Sequence, residues 1–299
     1  MRTAFFNQDH RLRNGWWMLI FIGFVAAAGL VFIPLSLGLK KLGVSGEWLQ
    51  PVPFVMTLLA TWGCTRLRKE PLASIGFHLD LRWAKEIAWG TLMGAGVMLA
   101  AAGMTWAAGG VRFELDPARS LRTLGYGFYV MLVVGFFEES FFRGFLFQRL
   151  LDGTGVWVTQ LVLALFFAFA HWGNPGMHGA TMFWATLNIS LAAVLLGLAY
   201  LRTRSLALPI GIHLGWNWMQ GSVLGFGVSG NAGKGWVHPL FQGKPEWLTG
   251  GSFGLEASVF GVAAVLISIA LLWKWKGSAD VPADAPASAS PHLDSTVSI

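Results

Sequence analysis

The sequence predicts an all-α fold: a polytopic membrane bundle of about eight transmembrane helices, with its functional site in a central polar cavity. Three observations carry this. Of 299 residues, 55% are hydrophobic and only 12% charged, where soluble domains carry about 25% charged residues. The mean hydropathy is +0.57. The apolar residues fall into long runs, several of which reach the roughly 20 residues that span a bilayer. Sixteen Trp and 23 Phe suit interfaces and bilayer packing. The 38 Gly residues would weaken soluble helices, but in membranes small residues let helix backbones approach.

The predicted spans are 15–38, 49–67, 84–108, 122–151, 155–173, 180–201, 205–227 and 253–276. The first is too long for the apolar core of a signal peptide and runs straight into further spans, so it reads as a retained helix. The fourth is long enough that its first turns belong on the surface. In the seventh, Pro209, Gly211 and Gly215 predict an irregular helix that permits close approach. Residues 228–252 form a Gly/Pro-rich outer loop. Residues 1–276 read as one membrane-embedded domain, and 277–299, rich in Ala, Ser, Pro and Asp, as a disordered tail.

Charge placement orients the bundle. Thirteen Lys and Arg lie on one side: Arg2, Arg11 and Arg13 before the first span, then the sets at 66–85, Arg149, Arg202, Arg204, Lys274 and Lys276. The opposite loops carry seven. The excess places both termini in the cytoplasm of a bacterial-type membrane. The net charge of +6 then has a topological origin, and nucleic acid is not expected as a partner. Cys64 is the single cysteine. It excludes an intrachain disulfide and a thiolate metal cluster, and reads as packing. The Gly-rich stretch around Lys234 lacks P-loop spacing and follows no predicted strand, so it carries no phosphate site.

Three charges stand inside the fourth span, in "GFFEESFFRGF": Glu138, Glu139 and Arg143. A charge at mid-bilayer costs on the order of 2.5–3.5 kcal/mol on insertion scales and marks a functional site by default. The bland alternative is an ion pair that only holds helices in register. Glu139 and Arg143 are four apart and can pair on one face. Glu138 lies about 100° further round, which leaves it without a same-helix cation. Glu139–Arg143 is therefore expected to be structural support, and Glu138 the working carboxylate.

Partners are available on two other helices. His171 ends the apolar run of span five, with Asn174 three residues on. His213 and Asn217 share one face of span seven. At about 1.5 Å per residue, these groups and Glu138 lie about 12–25 Å from the inner helix ends, which allows convergence. Glu138 would take a proton from water, with His171 orienting that water or sharing the proton. His213 and the Asn217 amide would donate to the oxyanion of an attacked amide carbonyl. Glu138, His171 and His213 also form a two-His, one-carboxylate set that suits Zn²⁺. With no H-E-x-x-H motif and no thiolate, the metal-free reading is favoured, and no cofactor is expected. His78, His178 and His238 fall in loops, and His10 and His292 in the termini. Asn174 and Asn188 are expected to serve packing or capping.

These residues resemble three motifs of one family. "EESFFR" (Glu138, Glu139, Arg143) is similar to E-E-x-x-x-R, "FAFAH" (Phe167, His171) to F-x-x-x-H, and "HLGWN" (His213, Asn217) to H-x-x-x-N. They are the motifs of the CPBP family, also called Abi, which groups CAAX prenyl endopeptidases with bacteriocin-processing proteins. "RGFLFQRL" and "LTGGSFGLEAS" are also in the family's style. The motifs occur in the family's order within a core of about 122–227. The resemblance implies an eight-helix intramembrane endopeptidase whose cavity opens to the cytosol. It implies Glu138 and His171 as the water-activating pair, and His213 with Asn217 as the oxyanion site. The substrate would be a membrane-associated or lipidated peptide in the bilayer. The competing reading is a non-catalytic binding or immunity protein that uses the same cavity. A proton-coupled transporter is weaker, because no pair of matching interrupted helices suggests inverted repeats.

Overall fold

The computed structural model describes residues 5, 6 and 11–277, and helices dominate them. Most of the tail expected at 277–299, together with Arg2, His10 and His292, lies outside the described residues. The helices longer than one turn, in order, are α1 (Asn14–Lys41), α2 (Val52–Arg68), α3 (Leu81–Ala107), α4 (Leu121–Glu139), α5 (Leu146–Thr154), α6 (Val156–Ala170), α7 (Gly179–Thr203), α8 (Ala207–Trp218) and α9 (Val259–Lys274). Each predicted span coincides with one of them, α4 and α5 sharing the fourth. By length and composition α1, α3 and α7 can cross a membrane. The other predicted spans fall on helices of 9 to 19 residues, two of them continued by π turns.

The outer surface calls for a nonaqueous solvent. α1 is apolar all round, yet only Phe21 and Gly29 of its 28 residues are buried. Leu30 stands 80% exposed. In water such a helix would bury itself; in lipid, exposed Leu and Ile cost nothing.

The tightest packing fixes the centre. α8 lies against α3 through Gly90 and Gly94 on one helix and Gly211 and Gly215 on the other. A Cβ on Gly94 would strike the Ile212 carbonyl, and one on Gly215 the Thr91 carbonyl. On the other side of α8, Gly135 of α4 faces the Ile210 carbonyl. α8 is thus wedged between α3 and α4. His213 is two residues from both Gly211 and Gly215, about 200° round the helix from each, so the contact with α3 turns it away from α3.

Three sequence expectations change here. The seventh span is regular through Trp218 despite Pro209, which sits in the first turn where its missing N–H is not needed. Its irregularity comes later, as a π turn over Met219–Val223. The fourth span is not one helix: α4 passes into a π turn, Ser140–Phe145, where Gly144 adopts non-helical φ −77°, ψ −123°, before α5 begins. Nor is the fold purely helical. Val111–Leu115 (β1) pairs antiparallel with Val237–Phe241 (β2), with Phe113 opposite Pro239. This ribbon straps the loop 228–252 to the α3–α4 connection, and Phe226 packs under it against Phe113 and Phe241 at 6.0 and 6.2 Å.

Two apolar clusters flank the centre. One gathers Phe21, Phe145, Phe147 and Tyr200. The other gathers Met98, Trp216, Phe226 and Leu255.

Candidate active site

Glu138 and Glu139 end α4, and Arg143 follows in the π turn. Such turns are rare and concentrate at functional sites. Glu139 is fully buried and pairs with Arg143, Nη1 to Oε1 at 3.1 Å. Arg143 is equally buried. Its Nη2 donates to the Ala193 carbonyl of α7 at 3.1 Å, and its guanidinium lies over the Phe167 ring at 4.8 Å. A buried cation needs such company, since an isolated one would cost far more than it returns.

The same Glu139 oxygen accepts a second bond, from His213 Nδ1 at 2.7 Å. Geometry on one helix separates the two glutamates by about 100°, and the expectation was that Glu139 would serve Arg143 alone. Both carboxylates in fact reach His213, from opposite nitrogens. Glu138 Oε2 lies 3.8 Å from Nε2. The imidazole is wide enough to sit between two adjacent side chains that leave the helix in different directions.

The bond to Glu139 assigns a proton. A carboxylate accepts, so Nδ1 of His213 donates and the ring turns Nε2 towards Glu138. At 3.8 Å that approach is too long for a direct hydrogen bond. Exposure differs sharply within the cluster: Glu139 0%, Arg143 2%, His213 9% and Glu138 19%. The group opens at Glu138.

His171 stands at the C-terminal end of α6. Its Nδ1 lies 2.7 Å from the Phe167 carbonyl. A carbonyl only accepts, so Nδ1 bears the proton, and Nε2 of the neutral ring is the free acceptor. No hydrogen bond or ion pair joins His171 to Glu138 or Glu139 among the described residues; Phe167 lies between the two histidine rings. Its ring is 4.7 Å from the His171 ring, 6.4 Å from the His213 ring, and beneath Arg143. Phe167 is thus the hub of the cluster, a role the sequence reading did not assign it. Asn217 lies one turn beyond His213 on α8 and is also buried.

One buried carboxylate escaped the sequence reading. Glu256, 5% exposed, accepts from Trp216 Nε1 at 3.2 Å, Gln220 Nε2 at 3.3 Å and the Ser229 N–H at 2.5 Å. The signal was present: a lone carboxylate among Gly, Phe and Leu at the entry to an apolar span. Asn174 braces rather than caps, donating to the Ser229 carbonyl at 2.9 Å. The Asn188 side chain is buried without a hydrogen-bond partner among the described residues.

Chemically, the cluster offers a half-buried carboxylate facing a fixed imidazole, and a second imidazole, protonated at Nδ1, nearby. Among the described residues, no group of three or more His, Cys, Asp or Glu is placed to hold a metal. A cavity of about 650 Å³ lies elsewhere, between α3, α8 and the end of α9, lined by Trp89, Leu208 and Leu272 but by none of these residues.

Comparison with known families converges on the same region. Residues 120–219 match the model described as "Type II CAAX prenyl endopeptidase Rce1-like", which is consistent with the CPBP family. The match covers one third of the chain and contains Glu138, Glu139, Arg143, Phe167, His171, His213 and Asn217. A family of CAAX proteases suggests intramembrane protease activity. No curated protein and no solved structure matches the chain.

Proposed function

We propose that this chain, with its Rce1-like CAAX prenyl endopeptidase region at 120–219, is a glutamate-type intramembrane endopeptidase that cleaves a membrane-associated or lipidated peptide. One observation carries the proposal: His213 is fixed through Nδ1 by the Arg143-bound Glu139, and presents Nε2 to the more open Glu138.

Glu138 is the general base. A water between it and the histidines gives up a proton to the carboxylate as its oxygen attacks the amide carbon. His171 supports this through its free Nε2, which accepts a hydrogen bond from the same water. The developing oxyanion falls to His213 and Asn217. Donation from His213 Nε2 requires the imidazolium, and Glu139 offsets that charge at Nδ1. Glu139 and Arg143 touch no substrate. The proton then passes from Glu138 to the leaving amine as the tetrahedral intermediate collapses.

Zn²⁺ on Glu138, His171 and His213 is the weaker reading, because the chain offers no H-E-x-x-H motif and no thiolate beside them. The site is proposed to face the cytosol of a bacterial-type membrane, with both termini on that side.

The test uses the full chain in proteoliposomes and a fluorogenic farnesylated peptide ending in a CAAX sequence. Glu138→Gln and His213→Ala are expected to lower kcat by at least about 10³-fold while folding as the wild type, and a chelator to leave the rate unchanged. Wild-type cleavage by Glu138→Gln would overturn Glu138 as the base, whereas no cleavage by the wild type itself would favour a binding or immunity protein.

A further inference from the structure

We propose that Glu256, outside the matched region, is a positioning residue of this site: it clamps the turn that carries His171 to the helix that carries His213 and Asn217. The inference rests on the endopeptidase reading and adds to it a residue that touches no substrate.

A buried carboxylate is costly unless its oxygens are satisfied. Those of Glu256 are. Oε1 accepts from Trp216 Nε1 and Ser229 Oγ, both at 3.2 Å. Oε2 accepts from the Ser229 N–H at 2.5 Å, Ser229 Oγ at 3.1 Å and Gln220 Nε2 at 3.3 Å. Among the described residues no Lys or Arg pairs with it, and its oxygens are held by these hydrogen bonds. Apolar side chains of similar volume would stabilise the spot about as well. What they would not do is fix three segments to one point.

The donors come from separate parts of the chain. Trp216 and Gln220 are four apart on α8 and its π turn, and Trp216 directly precedes Asn217. Ser229 belongs to the outer loop and holds a left-handed φ of 47°, unusual for a residue with a Cβ. Its carbonyl accepts from Asn174 Nδ2, and the Asn174 N–H bonds the His171 carbonyl at 3.0 Å. The next residue, Gly230, donates its N–H to the Phe253 carbonyl at 3.0 Å. A Cβ on Gly230 would strike the Pro175 carbonyl. The turn after α6, the outer loop and the entry to α9 therefore meet at one carboxylate, backbone against backbone. His171 also lies within electrostatic range of Glu256.

Phe167 fixes the His171 ring from its own helix and meets the His213 ring of α8 only by an apolar contact at 6.4 Å. The Glu256 clamp adds a hydrogen-bonded tie between the two segments. A misplacement of about 1 Å in such a site can cost 10²-fold in rate.

Two variants and two readouts test this. Glu256→Ala removes every acceptor; Glu256→Gln keeps the shape and one acceptor. With the farnesylated peptide, kcat is expected to fall about 10²-fold for Ala and less for Gln, with KM within about twofold of wild type, since the residue is remote from substrate. Backbone hydrogen exchange at 171–176 and 228–231 is expected to quicken at least tenfold in Glu256→Ala. Unchanged kcat in Glu256→Ala would overturn the inference. So would unchanged exchange, or a parallel fall of kcat, KM and thermal midpoint in both variants, which marks a merely structural role. If the wild type itself cleaves nothing, the endopeptidase reading fails and the catalytic role falls with it, while the exchange data still decide whether the clamp exists.

Discussion

Glu139 is the residue on which the charges of the cluster balance. It receives Arg143 and His213 on one oxygen, at 3.1 and 2.7 Å, without exposed surface of its own. Removing one partner of a buried ion pair costs about 3–5 kcal/mol, whereas replacing both by apolar groups is often neutral. Arg143→Met is therefore expected to lower the thermal midpoint in detergent markedly, and Glu139→Gln with Arg143→Met to recover most of that loss. Activity follows a different order. Glu139→Gln leaves His213 with a weaker, neutral partner at Nδ1, so kcat is expected to drop by on the order of 10²-fold, and the double variant is expected not to regain it. Recovery of activity together with stability would show that Glu139 serves the fold alone. At this scale the sequence showed much: the spacing of four between Glu139 and Arg143 foretold their pairing. It could not show that Glu139 also holds His213, because that contact spans 74 positions in the chain.

The element that decides the site is α8. Its place depends on glycines that let two backbones touch, not on the polar residues it presents. Gly94 and Gly215 face carbonyls of the opposing helix, while Gly96, on the same α3, faces open space. Overpacking a close contact costs about 1–3 kcal/mol or more, and here the obstacle is backbone, which has no alternative rotamer. Gly94→Ala and Gly215→Ala are each expected to lower the thermal midpoint and to reduce cleavage, since α8 must shift with His213 on it. Gly96→Ala is expected to be neutral or slightly stabilising, as Ala is the better helix former. Equal behaviour of Gly94→Ala and Gly96→Ala in thermal unfolding would refute this account of the α3–α8 contact. The π turn after α4 belongs to the same scale. The sequence "SFFRGF" reads as uninterrupted helix by its apolar content, yet the chain leaves α4 for a π turn there, with non-helical backbone at Gly144. Apolar periodicity reports which residues avoid water; it does not report how a helix accommodates a buried guanidinium.

At the scale of the whole molecule, the helical segments were legible because each is an apolar run bounded by charge or glycine. The ribbon and the Glu256 clamp were not. Both form between segments more than 25 positions apart, and the strands are five residues long, one with Pro239 inside it. What surrounds the molecule follows from its exposed side chains. The surface of α1, α6 and α9 exposes Leu30, Leu165 and Ile267, as a lipid-facing surface does. The charge bias predicts the orientation, and labelling tests it. Lys40 at the end of α1 and Lys276 beyond α9 are both exposed, and the native Cys64, at 0% exposure, contributes no background. Lys40→Cys is expected to react with an impermeant maleimide on intact cells, and Lys276→Cys only after the membrane is opened. The reverse pattern would turn the bundle over, place the Glu138 opening on the other side, and require a substrate that arrives from outside the cell.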